Sequence, residues 1–147
     1  MKIAYKHLAK HIYPVPSLND LSDKLFHLGH EHEILDEIFD IEFTPNRGDC
    51  LSINGLLRDL NVFYDIKFNN EKFDGQIKSY EIDFTNNAID DCPRISFLKI
   101  EVDGDIKSYE DELNEYFKIF DINKKNFFTD VSNYIAYETG QPTHCYD

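Results

Sequence analysis

The sequence predicts an α+β fold with mostly antiparallel strands. Two patterns predict it. Four segments space their apolar residues three or four apart, as a helix does, and two others alternate apolar with acidic residues, as a half-buried strand does. At 41% hydrophobic and 14% aromatic, the 147-residue chain also has enough apolar side chain to bury a core. The patterns divide it into a small helix–strand domain over residues 1–76 and a second unit over 77–147, with the polar stretch 66–75 as the boundary.

His7 to Ile12 reads as a short helix closed by Pro14 and Pro16. A clear helix follows over 17–28. Ser17 caps it with Asp20 three residues on, Leu18, Leu21, Leu25 and Leu28 share a face, and Gly29 takes the C′ position. Residues 34–43 read as one strand, because Phe39, Ile41 and Phe43 alternate with Asp40 and Glu42. Thr44 to Asp49 is a turn leading to a second helix over 50–64, with Asp49 as its cap and Ile53, Leu56, Leu57, Leu60 and Phe63 as its stripe. Gly55 costs that helix about 1 kcal/mol in propensity and points to a close backbone approach. Two strands are predicted beyond residue 76. One alternates Tyr80, Ile82 and Phe84 with Glu81 and Asp83, and the other runs over 95–102 with a bulge near Phe97. Ser108 and Asp111 form the capping box of a third helix whose face is Tyr109, Leu113, Tyr116, Phe117 and Phe120. A last helix spans 130–139, capped by Asp130 and ended by Gly140 and Pro142.

Composition excludes several function classes. With 15 basic and 28 acidic residues the formal charge is −13, the wrong sign for non-specific gripping of nucleic acid by counterion release. No apolar run is long enough to span a bilayer, and the charged N-terminus lacks the apolar core of a signal peptide. Cys50, Cys92 and Cys145 are odd in number and widely spaced, which fits a reduced, cytoplasmic setting better than a disulfide framework.

The motifs that carry chemistry are few. His30-Glu31-His32-Glu33 would put both histidines on one strand face, yet no third ligand stands at metal-site spacing, so a solvated strand start is expected and no metal. No glycine-rich phosphate loop is present, so no cofactor site is expected in this chain. Two segments are denser. Thr44-Pro45-Asn46-Arg47-Gly48-Asp49-Cys50-Leu51-Ser52 is complete as a strand-to-helix turn without any ligand. Ser132 and Asn133, early in the last helix, and His144, after the Gly140-Gln141-Pro142 break, are groups that can line a polar pocket.

These segments resemble the N-terminal part of the bacterial phenylalanine–tRNA ligase beta subunit. That family carries T-P-N-R-x-D-C-L-S-x-x-G-x-x-R, matched here by Thr44, Pro45, Asn46, Arg47, Asp49, Cys50, Leu51, Ser52, Gly55 and Arg58. It carries A-C-P-R, matched in part by Asp91-Cys92-Pro93-Arg94. It also carries V-D-x-T-N-Y and G-Q-P-x-H-x-[FY]-D, matched by Thr129 to Tyr134 and Gly140 to Asp147. Several motifs in one order are far more specific than any one alone.

The resemblance implies an α+β beta-subunit domain followed by the truncated start of an editing domain. It implies a class II aminoacyl-tRNA synthetase of two alpha and two beta subunits in the cytoplasm. ATP and Mg²⁺ are then used by the parent enzyme, with the alpha subunit and phenylalanine tRNA as partners. The beta subunit's editing domain removes mischarged tyrosine, a task that exists because an apolar pocket rejects an added hydroxyl weakly. By position, Ser132 (for the family's Thr), Asn133, Pro142 and His144 fall on its editing pocket, and Thr44 to Arg58 is the structural motif. The family's OB-fold insert is missing, since Glu33 to Glu37 runs straight into Ile38 to Glu42. The resemblance stops at Asp147, short of the remaining pocket residues, so the chain alone is expected to be inactive. A free-standing protein- or tRNA-interaction module is the alternative. Tyr116, Phe117, Phe120, Phe127 and Phe128, if exposed, would drive self-association.

Overall fold

A computed structural model describes residues 1–66, 68, 75–76, 79–106, 109 and 111–146. The chain divides into two compact units, Met1–Phe68 with Ser108–Asp147, and Asn69–Lys107. The last two helices cluster with the N-terminal residues, while the stretch between stands by itself.

The first unit is α+β. Strand β1 (Lys2–Ala4) leads to helix α1 (Tyr5–Ala9) and helix α2 (Leu18–His27). Strands β2 (Glu31–Leu35) and β3 (Ile38–Glu42) follow, then a 3₁₀ turn over Gly48–Cys50 and helix α3 (Ile53–Leu60). Helices α4 (Asp111–Ile119) and α5 (Phe127–Thr139) complete it. The sheet order is β1-β3-β2, antiparallel throughout, with Ile3 and Ile34 both opposite Phe39.

One predicted strand is in fact a hairpin. The alternation read over 34–43 belongs to β3, and Ile34 and Leu35 end β2. Asp36 and Glu37 take φ of 49° and 63°, the two left-handed positions of a tight hairpin turn. Acidic residues fill a place usually marked by Asn or Gly, so the turn gave no sequence signal. The same geometry carries β2 into β3 with no inserted domain between them.

Capping explains the other shifted boundaries. Ser17 caps α2 as predicted, its Oγ accepting from the Asp20 amide at 3.1 Å. Asp49 does not cap α3. Ser52 does, accepting from the Gly55 amide at 2.9 Å, while Asp49 sits in the 3₁₀ turn and pairs with arginines. Asp130 does not cap α5 either. Asn126 caps it, accepting from the Thr129 amide at 3.0 Å, and α5 starts three residues earlier than predicted. Asp130 is fully buried and accepts from the Tyr109 hydroxyl and from the Lys125 amide at 3.1 Å. The first helix begins at Tyr5 rather than His7, because β1 turns into it directly. The predicted cap Ser108, most of the 66–75 boundary and Asp147 lie outside the described residues.

The core joins Ile3 of β1, Leu8 of α1, Leu21 and Leu25 of α2, Phe39 and Ile41 of β3, the Ile53, Leu56, Leu57 and Leu60 stripe of α3, and Leu113 and Phe117 of α4. Each such side chain contributes about 1.5–3 kcal/mol by leaving water. Tyr116 and Phe117 are buried in this core, so the aromatic surface expected for self-association is largely internal. Of the five only Phe128 is exposed, at 41%.

In the second unit, the strands predicted over 80–84 and 95–102 do not form among the described residues. Their apolar residues are exposed, Ile82 at 46% and Ile100 at 66%. A two-stranded pair without a covering layer is marginal in water. What order there is comes from local contacts. Phe84 and Phe97 meet edge to face at 4.9 Å, and the Asn86 side chain accepts from the Ala88 amide and donates to the Cys92 carbonyl at 2.7 Å.

Candidate functional site

The turn between β3 and α3 gathers the charged groups of the first motif. Arg47 forks onto Asp49, Nε to Oδ1 at 3.0 Å and Nη2 to Oδ2 at 3.2 Å. The same Nη2 donates to Asp59 and, at 2.7 Å, to Cys50 Sγ. Arg58 donates to Asp49 and, at 3.2 Å, to Asp59 Oδ1. Two arginines and two carboxylates thus lock the 3₁₀ turn to the end of α3. The arginine hydrogen bonds hold the Asp49 carboxyl far below the usual carboxylate range. Burial pushes Asp59 up, but its hydrogen bonds from Arg47 and Arg58 outweigh that and leave it lowered.

Gly55 makes this turn possible. A Cβ there would stand 2.2 Å from the Asp49 carbonyl oxygen and 3.0 Å from Cys50 Cα. The close approach inferred from the sequence is the first turn of α3 pressed against Asp49 and Cys50. Thr44, Pro45 and Asn46 are exposed and shape the chain entering the turn, where the Arg47 amide donates to the Thr44 carbonyl at 2.9 Å.

Three members of the cluster escaped the sequence reading as a group. Buried His30 faces α3 rather than pairing with His32, and its Nε2 lies 3.3 Å from Asp59 Oδ2. That contact falls just outside good hydrogen-bond geometry, and among the described residues no other group bonds the nitrogen. The buried Cys50 thiol lies 3.5 Å from the same oxygen. Burial lowers the His30 pKa and pushes the Cys50 thiol up to about 11. His32 is turned elsewhere, to Ser22 Oγ at 2.8 Å and the His30 carbonyl at 2.8 Å. The dipeptide Arg58-Asp59, nine and ten residues after Asp49, was the only sequence cue to this arrangement.

The second motif is only partly assembled. Ser132 Oγ donates back to the Phe128 carbonyl at 3.0 Å, and Thr143 Oγ1 donates to the Ser132 carbonyl at 3.5 Å. The loop after α5 therefore folds back over the start of that helix. Cys145, not His144, is the side chain beside Ser132, its Sγ 3.7 Å from Oγ. Asn133, Pro142 and His144 are exposed, and among the described residues no hydrogen bond joins His144 to Ser132 or Asn133. The two motifs do meet at one point. Gly140 ends α5 with φ of 75°, and a Cβ there would lie 3.2 Å from Ser52 Oγ, the cap of α3.

Comparison with known proteins gives the same relatives repeatedly. The phenylalanine–tRNA ligase beta subunit of Rhodopirellula baltica is 31% identical, aligned over all of this chain and 23% of its own length. That of Psychrobacter arcticus is 34% identical over 76% of this chain and 14% of its own length, and that of Rickettsia conorii is 36% identical over 76% and 14%. The chain thus spans about a quarter or less of the curated relatives it matches. The Rhodopirellula alignment runs over 161 positions, too small an excess over 147 residues for a domain inserted between β2 and β3. No family model matches the chain, and no solved structure matches it.

Proposed function

This chain is a relative of the phenylalanine–tRNA ligase beta subunit, and from that premise we propose that it works as the N-terminal part of such a subunit. It supports the ATP-dependent attachment of phenylalanine to its tRNA in the cytoplasm, within a class II ligase. Its partners are the alpha subunit, which uses ATP and Mg²⁺, and phenylalanine tRNA. The observation that carries this reading is the match to the Rhodopirellula subunit over all of this chain, at 31% identity.

Within that reading, the locked turn around Arg47, Asp49, Arg58 and Gly55 is a scaffold rather than a reaction centre. Its charges are spent on one another. Ser132, Asn133, Pro142 and His144 contribute one wall of an editing pocket that hydrolyses tyrosyl-tRNA. They leave the other wall to sequence outside this chain. Ser132 and His144 position the ester or a water, so each acts by orientation.

The test is a chimera. This chain replaces the matching quarter of the Rhodopirellula subunit and is co-expressed with that enzyme's alpha subunit. The chimera is expected to co-purify with alpha and to charge tRNA with phenylalanine, whereas this chain alone shows no ATP-dependent charging. Ser132→Ala with His144→Ala in the chimera should slow tyrosyl-tRNA hydrolysis about tenfold or more, the effect of losing ~1.4 kcal/mol of orientation. Charging should stay within about twofold, since no chemistry of that step is removed. Failure to co-purify while the chain itself folds would favour an interaction module. Unchanged tyrosyl-tRNA hydrolysis would remove the pocket role.

A further inference from the structure

We propose that His30, Cys50 and Asp59 form a binding site for a zinc-class divalent cation, which takes the place that the Arg47 guanidinium holds in the cluster. This inference does not rest on the ligase reading.

The ligand atoms have the right kind and spacing. His30 Nε2, Cys50 Sγ and an Asp59 carboxylate oxygen all lie within 4.8 Å of one another. Zinc bound to nitrogen, oxygen and thiolate at about 2.0, 2.0 and 2.3 Å in a tetrahedron sets the N–O edge at about 3.3 Å and the S–O edge at about 3.5 Å. In the protein His30 Nε2 to Asp59 Oδ2 is 3.3 Å and Cys50 Sγ to Asp59 Oδ2 is 3.5 Å. Two of the three edges therefore fit before any ion is bound, and the third, His30 Nε2 to Cys50 Sγ, lies within 4.8 Å. One imidazole, one thiolate and one carboxylate form a donor set suited to zinc and disfavoured by magnesium or calcium.

A second observation points the same way. His30 is 3% exposed, and its Nε2, 3.3 Å from Asp59 Oδ2, makes no hydrogen bond of good geometry among the described residues. A poorly satisfied buried nitrogen is destabilising, and a metal bond would satisfy it. The three residues come from three places: the residue before β2, the 3₁₀ turn and the last turn of α3.

Arg47 shows both that the site favours a cation and how an ion would enter. Its Nη2 donates to Cys50 Sγ and to Asp59, so the positive charge facing these groups is an arginine's. Arg47 is 30% exposed and its Nε already bonds Asp49 Oδ1 at 3.0 Å, so it can swing out and keep a partner. As the sulfur–zinc bond forms, the Cys50 thiol gives its proton to solvent and Arg47 moves onto Asp49. Water completes the fourth position. No electron transfer is involved.

Cobalt(II) is the probe, because thiolate ligation gives a sulfur-to-cobalt charge-transfer band and a tetrahedral site gives intense visible bands. The chain carrying Cys92→Ser and Cys145→Ser retains Cys50 as its only thiol, and both replaced cysteines are exposed, so its fold is preserved. It is expected to develop both bands on titration with cobalt and to lose them to added zinc. Arg47→Gln, which removes the competing cation, should tighten binding about tenfold, and His30→Gln should weaken it by about tenfold or more. Absence of the charge-transfer band in the Cys50-only protein overturns the site. So does a band in the natural sequence that disappears when only Cys92 and Cys145 are replaced. Octahedral cobalt spectra, or looser binding in Arg47→Gln, would also overturn it.

Discussion

Replacing Gly55 by alanine sets two known effects against each other, and the structure says which wins. Alanine is worth about 1 kcal/mol over glycine inside a helix. The added Cβ, however, would stand 2.2 Å from the Asp49 carbonyl oxygen, with Cys50 Cα at 3.0 Å and the Asp49 carbonyl carbon at 3.1 Å. All three neighbours are backbone, so no side chain can rotate away. The backbone that must yield is held by the Ser52 cap and by Arg47 and Arg58 on Asp49. Overpacking typically costs about 1–3 kcal/mol, and a rigid backbone contact lies at the upper end. The net destabilisation is then about 2 kcal/mol, or a melting point lower by about 4–8 °C in a chain of this size. Thermal melts followed by circular dichroism measure it. Asn54→Ala, exposed on the same helix, isolates propensity and should stay within about 0.5 kcal/mol of the natural sequence. A Gly55→Ala protein that melts at or above the natural one would refute the reasoning, because propensity would then exceed the clash.

Three further outcomes are expected. Gly140→Ala should cost about 1–2 kcal/mol for its positive φ, and Ser52→Ala about 1 kcal/mol for the lost cap. Because the new Cβ would press on Ser52 Oγ, the double variant should lose at least about 0.5 kcal/mol less than the sum, read from urea denaturation. Asp130→Asn should destabilise by about 1–3 kcal/mol, and the Tyr109 phenol, pushed up to about 12 by its hydrogen bond to Asp130, should titrate lower in an ultraviolet pH titration. Burial lowers the His7 pKa from 6.5 to about 4, so the unfolded chain takes up its proton first. His7 therefore costs no stability above about pH 6.5, destabilises progressively down to about pH 4, and adds no further loss below that. The whole effect is about 3 kcal/mol. Denaturation at pH 7 and pH 4 should show a smaller pH loss in His7→Gln than in the natural sequence, and equal losses would exclude His7.

What the sequence revealed follows from the range of each interaction. Helix α2 was legible from end to end, because cap, apolar stripe and terminal glycine all lie within thirteen residues and act locally. The face of α4 was legible for the same reason, as Leu113, Tyr116 and Phe117 fall on the buried side. The hairpin was not, because Asp36 and Glu37 adopt positive φ under the demand of strand pairing rather than from their own preference. The caps were misplaced by the same kind of competition. Asp49 and Asp130 have the right chemistry for capping, but each had a stronger use, Asp49 with two arginines and Asp130 with Tyr109 and Lys125.

The site follows the same logic. Gly55 was read correctly as a place of close approach, but which backbone approaches is a tertiary fact. His30 was judged against its sequence neighbour His32, when its facing group comes from Asp59, twenty-nine residues on. A strand places His30 and His32 on one face without deciding that they share a partner, and here the first turns to α3 and the second to α2. The alternation in 80–84 and 95–102 is equally real in the sequence, yet alternation predicts a strand only where another layer receives its apolar face. In unit Asn69–Lys107 no such layer is described, and Ile82, Ile95 and Ile100 stay in water. In that segment alternation alone therefore does not decide that strands form.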